Sequence, residues 1–300
     1  MERFSFLSSV FIFFLGALFS HGYTQTSPRT GIALVHGTND HRNDAIGGYW
    51  KNTFISEIAN AMPKPDWVYV VQCDYSDYMW NETAAGCTVD QLLNFIRVQQ
   101  LEKLILYTHS DGANVVRWIL SNPTYDPRYM KLFSHVKEVI AVAPSSGGTP
   151  LADEVLSGGL FEEGVGWLLG YRNNAVKQQR VGDMARYNQE ILLGGEGQPA
   201  LAVPFKVVVG SNVVASPLSS SSYCNGYFLN TALKVTKIYL DYCSDGFLDC
   251  RSQEAAGEVW FYDREQMDDG NTLSHNQSRH TCFGMDRLLI NHLAAEGVLG

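Results

Sequence analysis

The sequence has no long run of lysines and arginines, no internal repeat, no Cys-x-x-Cys pair and no Cys/His spacing of the zinc-binding kind. Charge is sparse: 18% of its 300 residues are Asp, Glu, Lys or Arg, and the formal net charge is −9. Each absence excludes something. Without a basic stripe the chain lacks the electrostatic footprint of a nucleic-acid binder, and charge-driven docking on anionic lipid is disfavoured. Without a metal-ligand spacing there is no candidate structural zinc site. Nothing in the composition suggests disorder, collagen or a coiled coil. Beyond the first 22 residues no stretch is apolar enough to span a bilayer, so no stable membrane insertion is expected once that leader is removed. The one low-complexity patch, Pro217 to Ser222, reads as a surface loop.

What is present fits a packed protein. Apolar residues make up 45% of the chain, enough to bury a large core in one α/β domain. Residues 4 to 19 are almost all apolar or small, and Ser20-His21-Gly22 places small residues at the −3 and −1 positions of a cleavage site. This predicts a signal peptide over 1–22 and a secreted or periplasmic chain over 23–300, the alternative being an uncleaved N-terminal anchor. Six cysteines, an even number, suit an oxidising compartment. Fifteen complete pairings are open, and local spacing favours Cys73–Cys87 and Cys243–Cys250, leaving Cys224–Cys282.

Short apolar runs alternate with amphipathic ones. Gly31 to Val35, Trp67 to Val71, Lys103 to Tyr107, Val136 to Val142, Pro204 to Val209 and Glu258 to Tyr262 read as strands. Tyr49 to Met62, a stretch beginning at an N-cap Thr88, Ala113 to Leu120 and Asp286 to Ala295 read as helices. Alternation of this kind predicts a mainly parallel sheet with helices on both faces, and binding residues at the carboxyl ends of the strands. Residues 151–199 carry helical pattern without a clear strand. They are a candidate cap, with Leu160, Phe161, Val165, Trp167 and Leu168 as its apolar underside, or an ordinary packing segment.

Ser110 is the candidate nucleophile. It lies in Thr108-His109-Ser110-Asp111-Gly112, between a strand and a helix. A sharp strand-to-helix turn exposes the hydroxyl at the sheet's carboxyl end and aims a helix N-terminal N–H at a reacting carbonyl oxygen. A nucleophilic serine also needs a base, an acid to orient it and oxyanion donors. His36-Gly37-Thr38 follows the first strand, so the Thr38 and Asp111 N–H groups are the candidate oxyanion hole. Asp245, on the tight Asp-Gly turn of Cys243-Ser244-Asp245-Gly246, is the candidate acid, with Asp241 and Asp249 as rivals. His275 is the candidate base and His280 its rival. His109 is expected to point away, into sheet–helix packing. Asp74/Asp77 and Asp268/Asp269 are acidic clusters that raise calcium as an alternative to plain solvated loops. Of two sequons, Asn81-Glu82-Thr83 and Asn276-Gln277-Ser278, a glycan on the second would crowd His275.

The order Ser, Asp, His, together with I-A-L-V-H-G-T, L-I-L-Y-T-H-S-D-G-A-N, A-P-S-S-G-G-T-P-L-A-D and S-D-G-F-L, resembles the secreted bacterial lipase/esterase branch of the α/β-hydrolase superfamily. The resemblance spans about residues 30 to 296, densely only in those segments. It departs from the usual G-x-S-x-G at Thr108, and its path from Val209 to Asp245 is unusually long. It implies an α/β-hydrolase fold and cofactor-free hydrolysis of an acyl-ester or lipid substrate through an acyl-enzyme. Thioesterase, acyltransferase and peptidase chemistry use the same triad, and a non-catalytic secreted binding protein is the alternative outside enzymology.

Overall fold

The computed structural model describes residues 27–158, 172–224, 226–267 and 271–299. The expected signal peptide, the apolar run from 160 to 168 and Asp268/Asp269 lie outside them. Eight strands are described: β1 (Thr30–Val35), β2 (Asn39–Asp40), β3 (Val68–Val70), β4 (Asp74–Tyr75), β5 (Lys103–His109), β6 (Val136–Val142), β7 (Phe205–Val209) and β8 (Glu258–Tyr262). Six form one sheet in the order β3-β1-β5-β6-β7-β8, parallel at every pair. β2 and β4 make a separate two-stranded antiparallel ribbon, which no local pattern in the sequence announces. β1 is buried at all six positions and β5 at six of seven. Continuous apolar runs, rather than alternating ones, suit strands covered on both faces.

Register decides where the loops meet. Val35 pairs with Thr108, Thr108 with Ala141, and His109 with Val142. The carboxyl ends of β1, β5 and β6 therefore lie side by side, and the segments that leave them converge.

The helices follow the expected periodicity, with differences at their ends. α1 (Asn52–Ala61) starts later than the pattern from Tyr49 suggested. Tyr49 and Trp50 stay in the loop before it, where Trp50 is fully buried against Phe54 and Tyr107. α2 (Cys87–Gln99) is not capped by Thr88. The chain is already helical over Glu82–Gly86, capped by Asn81, whose side chain accepts from the Thr83 N–H. Thr88 instead shares a hydrogen bond with the Tyr75 hydroxyl at 2.6 Å. α3 (Gly112–Ser121) ends before Pro123, but the helical chain restarts at α4 (Pro127–Phe133). There Asp126 accepts from Arg128 N–H, and Pro127 takes the first helical position, where no N–H is needed. α5 (Pro150–Ser157) follows β6, capped by Thr149. Helices at Asn174–Gln178, Val181–Glu190, Tyr227–Thr236 and Met285–Ala295 complete the main elements.

The main core lies on both faces of the sheet. A smaller cluster packs Leu151, Val155 and Val176 against Val213, Leu233, Phe247 and Leu248. It joins the 151–199 region to the chain around Asp245. Three disulfides link Cys73–Cys87, Cys224–Cys282 and Cys243–Cys250, the pairing that local spacing favoured.

One close approach governs the centre. A Cβ on Gly112 would sit 2.0 Å from the carbonyl oxygen of His36, a backbone atom that cannot swing aside. Gly112→Ala is therefore expected to cost more than about 3 kcal/mol of stability or to prevent folding. Gly182, in the first turn of its helix, has nothing within 4 Å of an added Cβ. Gly182→Ala should stabilise by up to about 1 kcal/mol through helix propensity. Urea denaturation of both variants checks the contrast; equal effects would mean the β1–α3 contact is looser than described.

Candidate active site

Ser110 follows the last residue of β5 with a φ of +55°, in the left-handed region that non-glycine residues rarely occupy. Three backbone hydrogen bonds hold it: its N–H donates to Val142 O at 3.1 Å, and its carbonyl accepts from Ala113 N–H at 3.2 Å and from Ser145 N–H at 3.5 Å. The first ties it to the neighbouring strand and the second to the start of α3. The strained turn lifts the side chain off the sheet edge.

His275 lies in the loop that follows β8. Its Nε2 is 3.1 Å from Ser110 Oγ, and its Nδ1 is 2.7 Å from Asp245 Oδ2. A carboxylate only accepts, so Nδ1 carries the proton and Nε2 is free to accept from the serine hydroxyl. Asp245 is fully buried and fully used. Its Oδ1 accepts from the N–H groups of Phe247 and Leu248 at 2.8 and 2.7 Å. Its backbone carbonyl accepts from His275 N–H at 2.9 Å. Gly246 has a φ of +89°, and a Cβ there would lie 2.6 Å from Leu233 O. The turn therefore requires glycine, and the Cys243–Cys250 bridge closes it. Phe247 stacks on the His275 ring at 4.6 Å.

The rivals lie elsewhere. Asp241 pairs with Arg251 on the surface, and Asp249 accepts from Asp241 N–H. His280 is buried, and its Nε2 has no hydrogen-bond partner among the described residues. Asp74 accepts from Ser76 N–H, while Asp77 accepts from Tyr78 N–H, Asn81 and Asn174. These two carboxylates are thus engaged by protein donors. Asn276 is buried beside Arg279, so a folded chain offers no room for a glycan there.

Thr38 and Asp111 flank Ser110. Neither amide N–H donates to another group among the described residues. Gly37 lets the first approach: a Cβ on it would lie 2.9 Å from Ser110 Cβ and 2.5 Å from Tyr49 Oη. The Asp111 carboxyl is buried and accepts from Asn114 Nδ2 and Gln178 Nε2, both at 2.9 Å. Burial pushes its pKa up to about 6 against the pull of these donors.

Gln178 and Gln179 carried no signal in the sequence, yet both are fully buried at the site. Gln178 spans two elements, donating to Asp111 and accepting from Met79 N–H at 2.7 Å. Gln179 donates to Thr38 Oγ1 at 2.9 Å. Adjacent residues of one short segment thus hold the side chains of both Thr38 and Asp111.

His109 departs from expectation. It does not turn away but lines the cleft, its ring 4.6 Å from that of His275. Its Nε2 is 2.8 Å from His275 O and its Nδ1 is 2.5 Å from Tyr49 Oη. A carbonyl can only accept, so Nε2 carries the proton and Nδ1 accepts from the tyrosine. Burial, with His275 and Arg279 nearby, holds its pKa well below the ordinary histidine value and keeps this neutral tautomer.

These groups line a cleft of about 200 Å³. The segment after β1 contributes Thr38, Asn39, His41 and Tyr49; the β5 end gives His109 and Ser110; Leu229, Leu233 and Phe247 are apolar; His275, Asn276 and Arg279 complete it.

No protein-family model matches the chain, and no curated protein matches it. Solved structures do. The mature form of the lipase BlEst2 from Bacillus licheniformis is 16% identical, covering 90% of this chain and 91% of its own, with a TM-score of 0.57. Lipase 1 from Pelosinus fermentans is 14% identical, covering 91% of this chain and 99% of its own, also with a TM-score of 0.57. The chain has an α/β-hydrolase fold. In that fold the sharp turn after the fifth strand here, Ser110, occupies the crest of the sheet where β5 passes into α3.

Buried neutral histidines make stability pH-dependent. Burial, reinforced by Arg279 and Lys51, lowers the pKa of His280 to about 3. In the unfolded chain it protonates near 6.5, so its stabilising contribution is present above that pH and is lost as pH falls toward 3. Asp111, raised to about 6, acts in the opposite sense between its unfolded value and 6. His280→Leu is therefore expected to flatten the loss of stability between pH 6.5 and 4 by at most about 1.4 kcal/mol per pH unit. Urea titrations across that range measure it; an unchanged slope would show that His280 is not held neutral.

Proposed function

We propose that the chain is an exported serine hydrolase of carboxylic esters that works through an acyl-enzyme on Ser110. The observation that carries this reading is the relay Ser110 Oγ–His275 Nε2 at 3.1 Å and His275 Nδ1–Asp245 Oδ2 at 2.7 Å, at the crest of an α/β-hydrolase sheet. Ser110 Oγ attacks the ester carbonyl as His275 Nε2 takes its proton. The oxyanion that forms is met by the uncommitted N–H groups of Thr38 and Asp111. His275 returns the proton to the leaving alcohol, and water repeats the sequence to release the acid. Asp245 keeps Nδ1 protonated and the ring oriented. The scheme requires no metal or organic cofactor.

An apolar acyl group suits Leu229, Leu233 and Phe247 in the cleft. Outside the cleft, the neighbouring chain leaves Leu218, Phe228, Ile238 and Tyr242 largely exposed. That surface favours substrates presented with apolar material. Among the described residues no helix is long and apolar enough to cross a membrane. Three disulfides support an oxidising compartment, in keeping with a signal peptide over 1–22 and a mature domain over 23–300. The 151–199 region is read as a cap because Gln178 and Gln179 reach Asp111 and Thr38 from it.

Ser110→Ala and His275→Ala are expected to lower kcat on short-chain acyl esters by about 10⁴-fold or more while leaving the fold intact. His280→Ala should retain most activity. Hydrolysis at the parent rate by folded Ser110→Ala protein would end the serine-hydrolase reading.

Gln178→Ala and Gln179→Ala act at one remove. They are expected to lower kcat roughly tenfold, a fraction of the ~10²–10³ that losing an oxyanion donor itself costs. KM should change little, while affinity for a trifluoromethyl-ketone inhibitor falls with kcat/KM. A loss of melting temperature with unaltered inhibitor affinity would make the pair purely structural.

A further inference from the structure

We propose that Arg279 makes the cleft beside Ser110 a binding site for an ester that carries an anionic group, a carboxylate or a phosphate. This deepens the proposed function and rests on Ser110 being the nucleophile. The first observation is the charge of the lining. The chain carries a formal −9, with 31 acidic residues against 22 basic ones. Yet the described lining of this cleft holds a guanidinium, three imidazoles and no carboxylate.

The second observation is how Arg279 is held. Its guanidinium stacks on Tyr49, 3.9 Å from the ring centroid. Nη1 donates to Tyr49 O, and Nε and Nη2 donate to Asn276 Oδ1. All of these acceptors are neutral, and no carboxylate of the described residues lies within ion-pair distance. Among the described residues each terminal nitrogen makes one hydrogen bond, so each keeps one N–H to offer. Such donors on a guanidinium suit the oxygens of a carboxylate or phosphate. Burial works against the charge, and an arriving anion would offset that cost.

The third observation concerns the acid nearest in effect. Asp44 acts on Arg279 through space, but its Oδ1 is taken by His41 Nδ1 at 2.8 Å. His41 Nε2 in turn lies 3.1 Å from Thr38 O. Both ring nitrogens thus face oxygen atoms. Asp44 is thus engaged by His41 and makes no ion-pair contact with the guanidinium. Tyr49 and Asn276 both hold Arg279, and Asn276 directly follows His275. A substrate anion held there is tied to the same loop that carries the base.

The test uses two matched pairs of esters with the purified full chain. Monomethyl glutarate against methyl pentanoate places the carboxylate on the acyl side. 1-Butyrylglycerol 3-phosphate against 1-butyrylglycerol places the phosphate on the alcohol side. In at least one pair the anionic member should have kcat/KM about tenfold or more above its neutral partner, mostly through KM. The pair that shows it identifies the anion's source. Added salt should reduce the ratio. The ratio is read within each protein, so a general loss of activity cancels. Arg279→Gln should bring it to one or below, and Arg279→Lys, which keeps the charge but not the guanidinium, should restore part of it. A ratio near one for the parent in both pairs, or one unaltered in Arg279→Gln, overturns the inference. Should Arg279→Gln fail to fold, the parent ratio and its response in Arg279→Lys decide alone. Neutral esters cleaved in a Ser110-dependent way without charge preference defeat this inference only. Absence of hydrolysis of all four esters, with Ser110 unreactive toward a fluorophosphonate, defeats the hydrolase reading and this inference with it.

Discussion

Everything at the site depends on two backbones crossing at van der Waals limits. The first turn of α3 presses Gly112 against the carbonyl of His36, and Gly37 sits against Ser110. Neither contact tolerates a side chain. Parallel pairing of β1 with β5 brings the two segments together, since Val35 and Thr108 are register partners. Ser110 then has no extended continuation open to it and takes a φ of +55°. A non-glycine residue in that region costs on the order of 1–2 kcal/mol. The sheet on one side and the helix on the other over-determine the turn, so the cost is borne by many ordinary contacts. The same crossing brings two amide groups, without a partner among the described residues, beside the turn that carries the hydroxyl.

Around that turn the triad's polar groups are met by fixed protein partners. Asp245 uses both oxygens on fixed donors, two backbone N–H groups and one imidazole. A buried carboxylate is tolerable only when its lone pairs are met in this way. His275 is held at three points: Nδ1 by Asp245, its N–H by the Asp245 carbonyl, and its own carbonyl by His109 and Ser278. The ring's other nitrogen, Nε2, is hydrogen-bonded to Ser110 Oγ. Arrangement costs little at the moment of reaction because it is already made.

Legibility in the sequence followed the range of the signals. Ser110, Gly112 and the Asp245-Gly246 turn could be read because each is a local backbone event with a local residue requirement. The strands could be read because buried parallel strands are continuous apolar runs. The ribbon of β2 and β4 could not, since two residues a side leave no period. His109 was misplaced for a definite reason. Alternation puts it on the face of Tyr107, the face covered by Trp50 and α1. At the strand's end that face is not packing but cleft, where Tyr49 and the His275 loop arrive from 60 and 166 residues away. Gln178, Gln179 and Arg279 were silent for the same reason. A buried amide or guanidinium has no local pattern; its meaning lies in partners that only the fold assembles.

The histidines show how one fold keeps such a cluster compatible with a cation. His36 stacks on Tyr75 and bonds Gly37 O and Cys73 N–H, and burial, with His41 close by, lowers its pKa to about 3. His109 is held neutral by burial as well. Two imidazoles next to the site therefore add hydrogen bonds without adding charge. Were they charged, each would repel Arg279 and oppose the imidazolium that the proposed reaction forms on His275. Desolvation thus separates two functions that a row of histidines would otherwise confuse. The His109 ring holds the loop that carries His275, and in the proposed reaction it is His275, with a carboxylate behind it and a hydroxyl before it, that takes up and returns the proton.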